Sequence, residues 1–319
     1  MRKPLAVAAF LLLAAVAEAR NVSTFSIVAR DPQTGELGVA VASRFFSVGS
    51  VVPYLDSSAG AVATQANANV TYGPRGLQLM AQGVKADEAV RVLLRGDENA
   101  KSRQVGLVGR DGSSVSYTGE SCIPWAGGRS GPNYAVQGNI LTGENVVLAM
   151  EKAFLETKGT LAHRIYTALL AGDAAGGDSR GKQSASLIIV KEGAGYGGGN
   201  DRAIDIRVDD HAEPFIELGR LLKYAEMNYS WNQGWTAFTQ KRFAAALEAQ
   251  ERAAQLGADV PEVIYDLAVI RLAAGKRAEA LVALADALRK NPKLKVQASK
   301  DEDLASLRGD PAFQRLIQP

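Results

Sequence analysis

The sequence predicts an α+β protein, with sheets covered by helices over residues 24–208 and an all-helical region past residue 228. Three observations predict it. β-type runs bounded by turn residues dominate the first region, and amphipathic stretches of helical period interrupt them in pairs. The strict strand–helix alternation that marks a parallel sheet is missing. Past residue 228 the composition shifts to Ala, Leu, Lys, Arg and Glu, and the segment aligns with itself.

The elements follow in order. Thr24–Ala29 and Glu36–Ser43 are β-type runs flanking Asp31-Pro32-Gln33-Thr34-Gly35, a segment of turn formers. Val51–Leu55 and Gly60–Gln65 continue as short strands. Gly76–Gly83 and Ala86–Leu94 carry apolar residues at helical spacing. Gln104–Gly109 and Ser114–Thr118 flank Asp111-Gly112, a strong hairpin signal. Glu144–Leu155 and Leu161–Leu170 are two further amphipathic helices. Ser184–Val190 is a continuous apolar run, expected as a strand buried on both faces. Gly193–Gly199 is expected as a flap or tight turn, followed by a strand near Ile204–Val208 and a long helix from about Pro214 to Tyr229.

The N-terminus reads as a targeting segment. Arg2 and Lys3 precede an apolar run from Leu5 to Val16, and Ala17-Glu18-Ala19 supplies the small residues of a cleavage site. That run is shorter than the roughly 20 residues a bilayer span needs. The expected division is therefore a signal peptide at 1–19, a first domain at 20–228 and a helical domain at 229–319, in an exported, periplasmic or extracellular protein.

In the helical region an offset of 34 residues pairs Phe238 with Leu272, Ala244 with Ala278, Ala246 with Ala280 and Leu247 with Leu281. That offset equals the tetratricopeptide (TPR) period, in which each unit is a helix–turn–helix pair. About two such repeats are expected, closed by Asp301–Ile317 and packed against the first domain. They read either as a partner-binding groove or as a helical extension that supports or dimerises the first domain.

Composition narrows the function. With 47% hydrophobic and 22% charged residues the chain is globular, not disordered or fibrous. A net charge of +2 leaves no basic footprint for nucleic acid. Cys122 stands alone, so no intrachain disulfide and no paired-cysteine zinc site exists. With His163 and His211 as the two histidines, no metal and no cofactor is expected. Gly177-Asp178-Ser179-Arg180-Gly181 satisfies G-x-S-x-G, but it follows a helix and precedes a strand, the reverse of a nucleophile elbow.

The blocks from Ser23-Thr24-Phe25-Ser26-Ile27-Val28-Ala29-Arg30-Asp31 through Gly35-Glu36-Leu37-Gly38-Val39-Ala40-Val41-Ala42-Ser43-Arg44 resemble a largely bacterial family known as domain of unknown function 1028. The likeness continues through Gly60–Asn69 with Tyr72-Gly73-Pro74-Arg75-Gly76, Gly119–Gly131, Gln137-Gly138-Asn139-Ile140-Leu141 and Gly176–Ala185. It closes in Gly195–Arg202 and Arg207–His211, so it covers roughly residues 24–225. That family is grouped with the N-terminal-nucleophile (Ntn) hydrolases. The resemblance implies a four-layer αββα sandwich and hydrolysis of an amide or related acyl bond, with Thr24 as nucleophile.

A threonine hydroxyl needs a base, and in this class the base is the threonine's own α-amine, available only when threonine is the first residue. Cleavage after Ala19 leaves Arg20-Asn21-Val22-Ser23 ahead of Thr24, so a second cut between Ser23 and Thr24 is required. No lysine lies between Lys3 and Lys85, so a lysine on the next strand, as in proteasome-type subunits, has no counterpart. The amides of Asn67, Asn69 and Asn139 are the expected oxyanion donors. Asn67, with Arg44, Asp178 and Arg180, is also a candidate for a polar substrate pocket. A small-molecule or peptide-like substrate, a protein partner for the repeats and self-association are the expected interactions. The alternative is a non-catalytic ligand- or partner-binding protein on the same fold.

Overall fold

The computed structural model describes residues 24–318; the expected leader and the segment preceding Thr24 lie outside the described residues. The first region holds two antiparallel sheets. The larger is built from β1 (Thr24–Arg30), β2 (Leu37–Ser43), β7 (Gly127–Gly131), β8 (Tyr134–Asn139), β9 (Ser184–Val190) and β10 (Arg202–Val208), in the order β10-β9-β2-β1-β8-β7. The smaller contains β3 (Pro53–Asp56), β4 (Gly60–Ala66), β5 (Arg103–Gly109) and β6 (Ser114–Thr118), in chain order.

Period-2 alternation sorts the side chains between layers. Phe25, Ile27 and Ala29 of β1 pack under helices α3 (Asn145–Glu156) and α4 (Leu161–Ala174). Val28 points the other way, into a layer shared with Leu37, Val39 and Val41 of β2, Ala61 and Ala63 of β4, Val108 of β5 and Ile188 of β9. Helices α1 (Tyr72–Ala81) and α2 (Ala86–Arg95) cover the outer face of the smaller sheet through Val62, Tyr72, Leu93, Val105 and Leu107. The two sheets thus face each other, and each carries helices on its outer side. β9 is buried along its whole length, as its unbroken apolar run predicts.

Several elements depart from expectation, and β8 (Tyr134–Asn139) is a strand where none is expected from the sequence. α1 begins at Tyr72 rather than Gly76, because Asn69 accepts the Thr71 and Tyr72 amides and starts the turn early; Pro74 is tolerated in the first turn. β7, Gly-Gly-Arg-Ser-Gly, has no strand composition and is a strand only through its ladder to β8. The long helix α5 runs Pro214–Thr239, ten residues past Tyr229, and carries the chain from the sheets into the helical region.

There α5 pairs with α6 (Phe243–Leu256) and α7 (Pro261–Ala273) with α8 (Arg277–Lys290), ahead of α9 (Leu294–Lys300) and α10 (Pro311–Ile317). The sequence offset reappears in backbone geometry. Lys241 (φ 59°) and Gly275 (φ 80°), 34 residues apart, both take the left-handed conformation in the turn of their hairpin. The Arg242 amide donates to the Ala237 carbonyl at 2.9 Å, and the equivalent Lys276 amide donates to the Arg271 carbonyl at 2.8 Å. Ala246 and Ala280 are each fully buried. No described helix is long and apolar enough to cross a membrane.

Candidate active site

At the end of the sheets where β1 begins, the layer between them turns polar. Thr24 and Ser26 occupy the same face of β1 as Val28, and Thr24 lies in register between Ser43 of β2 and Asn139 of β8. Gln65 of β4, Gln104 of β5, Gln137 of β8 and Ser184 of β9 reach the same level. Each of these side chains is essentially inaccessible to solvent. Buried amides and hydroxyls are stable only when hydrogen-bonded, and they bond mainly to one another.

Gln104 is the hub. Its Oε1 accepts from Gln65 Nε2 at 2.8 Å and Asn139 Nδ2 at 2.9 Å, and its Nε2 donates to the Gly138 carbonyl at 2.7 Å and Thr118 Oγ1 at 2.8 Å. Gln65 Nε2 also donates to the Thr24 carbonyl at 3.1 Å, which Asn139 Nδ2 approaches at 3.5 Å. Ser26 Oγ bridges Gln65 Oε1 and Gln137 Nε2 at 2.6 Å each. The Thr24 hydroxyl donates to Ser43 Oγ at 3.2 Å. The backbone and hydroxyl of Thr24 are therefore held from both sheets.

Beside this network lies a cavity of about 100 Å³ lined by Ala66, Asn67, Ser102, Ser121, Cys122, Ile123, Asn139 and Ile140. Ala66 (φ 64°) and Ile140 (φ 53°) follow the polar positions of β4 and β8 in the left-handed region. A β-branched residue there is an outlier, costing about 1–3 kcal/mol, and such strain clusters at functional sites. The Ile140 carbonyl is held by the Ser179 amide at 3.1 Å and the Ser179 hydroxyl at 2.9 Å. Ser179, on the loop between α4 and β9, thus supports the cavity wall. Burial pushes the Cys122 thiol up, away from the reactive thiolate.

The structure brings most of the expected residues to this end. Asn139 stands in the network and Asn67 on the cavity, its Nδ2 donating to Ser102 Oγ at a long 3.4 Å. Asp178 is buried at the end of β2, accepting the Arg44 amide at 2.9 Å, the Arg180 amide at 2.8 Å and the Arg180 guanidinium at 3.2 Å. The Arg44 side chain turns to the Lys182 carbonyl at 3.1 Å. Asp178 thus organises the loop rather than presenting a free carboxylate, while the Arg44 and Arg180 side chains reach solvent.

Asn69 is committed elsewhere. Its Nδ2 donates to Asp97 at 3.0 Å and its Oδ1 accepts from the Thr71 amide at 3.1 Å. Asp97 forms a bidentate pair with Arg103 (2.9 and 3.3 Å) and accepts from the Tyr72 hydroxyl at 2.8 Å. Arg103 foremost, and then the Asn69, Tyr72 and Asn99 donors, hold the Asp97 carboxyl far below the usual carboxylate range against the opposing cost of its burial. Arg103 also donates to the Asn67 carbonyl, so this ion pair fixes the strand end beside the cavity. Sequence reasoning missed Gln65, Gln104, Gln137 and Ser26; the available signal was a polar residue at alternate positions of otherwise apolar strands. Among the described residues no three His, Cys, Asp or Glu side chains cluster as metal ligands do.

Fold and site together define an α+β protein of two facing antiparallel sheets with a neutral, hydrogen-bonded pocket at one end. Residues 24–218 match the model of the family of unknown function DUF1028, and the chain belongs to that family. It is similar to the crystal structure of protein SPO2555 from Silicibacter pomeroyi, described under the same family model. The two share 28% sequence identity with a TM-score of 0.58, over 64% of this chain and 89% of that one. No curated protein matches the chain.

Proposed function

We propose that this chain is an Ntn-type hydrolase of an amide or related acyl bond, with Thr24 as nucleophile once a cut between Ser23 and Thr24 frees its amine. The observation that carries the reading is the placement of Thr24. It opens β1 at the polar end of the inter-sheet layer, its hydroxyl on Ser43 and its carbonyl on Gln65, next to a cavity bordered by Asn67 and Asn139. The family match also begins at Thr24. Helices on both outer faces of two opposed sheets are consistent with the αββα sandwich of this enzyme class.

In the reaction the freed amine takes the Thr24 hydroxyl proton, and Oγ1 attacks the substrate carbonyl carbon. The Asn139 and Asn67 amides stabilise the developing oxyanion, the leaving amine departs with the proton, and water then hydrolyses the threonyl ester. Arg44 and Arg180, both reaching solvent at this end, orient a polar substrate. Processing fits an exported chain with a leader at 1–19, a hydrolase domain at 20–228 and a tetratricopeptide-like extension at 229–319. The repeated turn at Lys241 and Gly275 supports that last assignment.

The neutral surroundings of Thr24 favour a second reading, a non-catalytic binding protein. A β-lactone electrophile distinguishes them. Peptide mapping is expected to find the adduct on Thr24, with labelling lost in Thr24→Ala and kept in Thr24→Ser. Equal labelling or turnover in Thr24→Ala would remove Thr24 from the chemistry.

A further inference from the structure

A second cavity, of about 500 Å³, lies between α5 and the glycine-rich loop 193–199, and the Thr24 chemistry makes no use of it. Trp231 and Trp235 stand one helical turn apart on α5. Both indole N–H groups donate to Oδ2 of Asp266 on α7, at 2.6 and 2.5 Å, which fixes the rings, largely buried, with an edge of each left on the cavity wall. Trp235 is further locked edge-on against Phe238, with ring centroids 5.0 Å apart.

The loop is clamped to the same helix. Asn232 donates to the Gly195 carbonyl and accepts from the Gly197 amide, both at 2.9 Å. Gly197 (φ 61°) and Gly198 (φ 75°) take a backbone path closed to most residues. That path sets Tyr196 at the cavity rim with 89% of its surface exposed, an unusual position for an aromatic ring. Thr236, Thr239 and Asn228 complete the wall, and no lining side chain is charged.

We propose that this cavity binds a neutral saccharide. Preset aromatic faces offer negative π-surface to the C–H face of a pyranose ring. Neutral amide and hydroxyl groups beside them match sugar hydroxyls. A charged ligand would lose hydration here without gaining a counter-charge. A proline-rich peptide is disfavoured because docking on aromatic grooves uses ring N–H donors, and both indole donors are already held by Asp266.

The test titrates the full chain with neutral oligosaccharides (cellobiose, maltose, lactose and their longer homologues), following tryptophan emission and heat. A glucuronate-containing oligosaccharide and a proline-rich peptide are run in parallel. The expected result is saturable binding of at least one neutral sugar with a shift in emission. Tyr196→Ala should weaken it about tenfold, equivalent to about 1.4 kcal/mol, and Tyr196→Phe should retain it. Because the Tyr196 ring is almost wholly exposed, its truncation leaves the fold intact, and circular dichroism checks this. Thr24→Ala should bind sugar like the unaltered chain, so this inference and the hydrolase reading fail separately. No saturable binding by any neutral sugar, preference for the charged sugar or the peptide, or indifference to Tyr196→Ala would each overturn the proposal.

Discussion

The layer between the two sheets has two halves built on the same strands, facing the same way, yet chemically opposite. Toward one end it is Val28, Leu37, Val39, Val108 and Ile188, a dry aliphatic core. Toward the other, the inward positions of those strands are Thr24 and Ser26, Ser43, Gly106 and Gln104, and Ser184 and Ser186, with Gln65, Gln137 and Asn139 from neighbouring strands. Aliphatic packing is non-directional and holds strands together at many relative placements. A directional network of amide and hydroxyl bonds tolerates few, even though Gln137 Oε1 and Ser186 Oγ stay outside it. The polar half therefore sacrifices some hydrophobic stabilisation and gains atomic placement at the end where Thr24 begins its strand. Gly106 shows how tight that placement is: a Cβ there would lie 2.2 Å from Gln137 Oε1.

The contrast can be broken most severely from outside the polar half, at the Asp97–Arg103 pair. Both side chains are about nine-tenths buried, so Asp97→Asn leaves a buried guanidinium without its counter-charge and should cost about 3–4 kcal/mol at pH 7 in denaturant unfolding. The folded carboxyl titrates below its ordinary value. Its stabilisation is thus present above the unfolded pKa of about 4 and is lost as pH falls below it, so the gap between the two proteins should narrow toward pH 3.

Next in size is Gln104→Ala, expected to cost about 2–3 kcal/mol because Gln65 and Asn139 lose their shared acceptor inside the protein. Adding Asn139→Ala to it should cost less than the sum of the single effects, as befits one network. In the aliphatic half Ile188→Val should cost only about 1 kcal/mol, and the neighbours close over the lost methylene. Smallest is Lys241→Gly in the helical region. Relieving the left-handed strain there should add about 0.5 kcal/mol, offset in part by glycine's greater freedom in the unfolded chain. Thermal melts resolve each of these.

Much of this was legible in the sequence, for identifiable reasons. Alternation and turn residues mark β1, β2 and the β5–β6 hairpin, and a 34-residue offset links the helix pairs in whose turns Lys241 and Gly275 are both left-handed. β7 was illegible because Gly-Gly-Arg-Ser-Gly has no intrinsic strand preference. Gln65, Gln104 and Gln137 were overlooked because a lone glutamine in a strand reads as a solvent-facing position. Only the opposition of a second sheet makes it an interior one. The residue type of Asn69 suggests an oxyanion donor, whereas its side chain bonds Asp97 and the start of α1. The left-handed turns at Ala66 and Ile140 carry no glycine to announce them.

The central claim is that Thr24 acts through its own freed amine. Intact mass and N-terminal sequencing of the protein recovered from cells and from the medium test this most directly. A chain beginning at Thr24 is expected. A chain beginning at Arg20, with Ser23 still joined to Thr24, would contradict it and leave the binding-protein reading in its place.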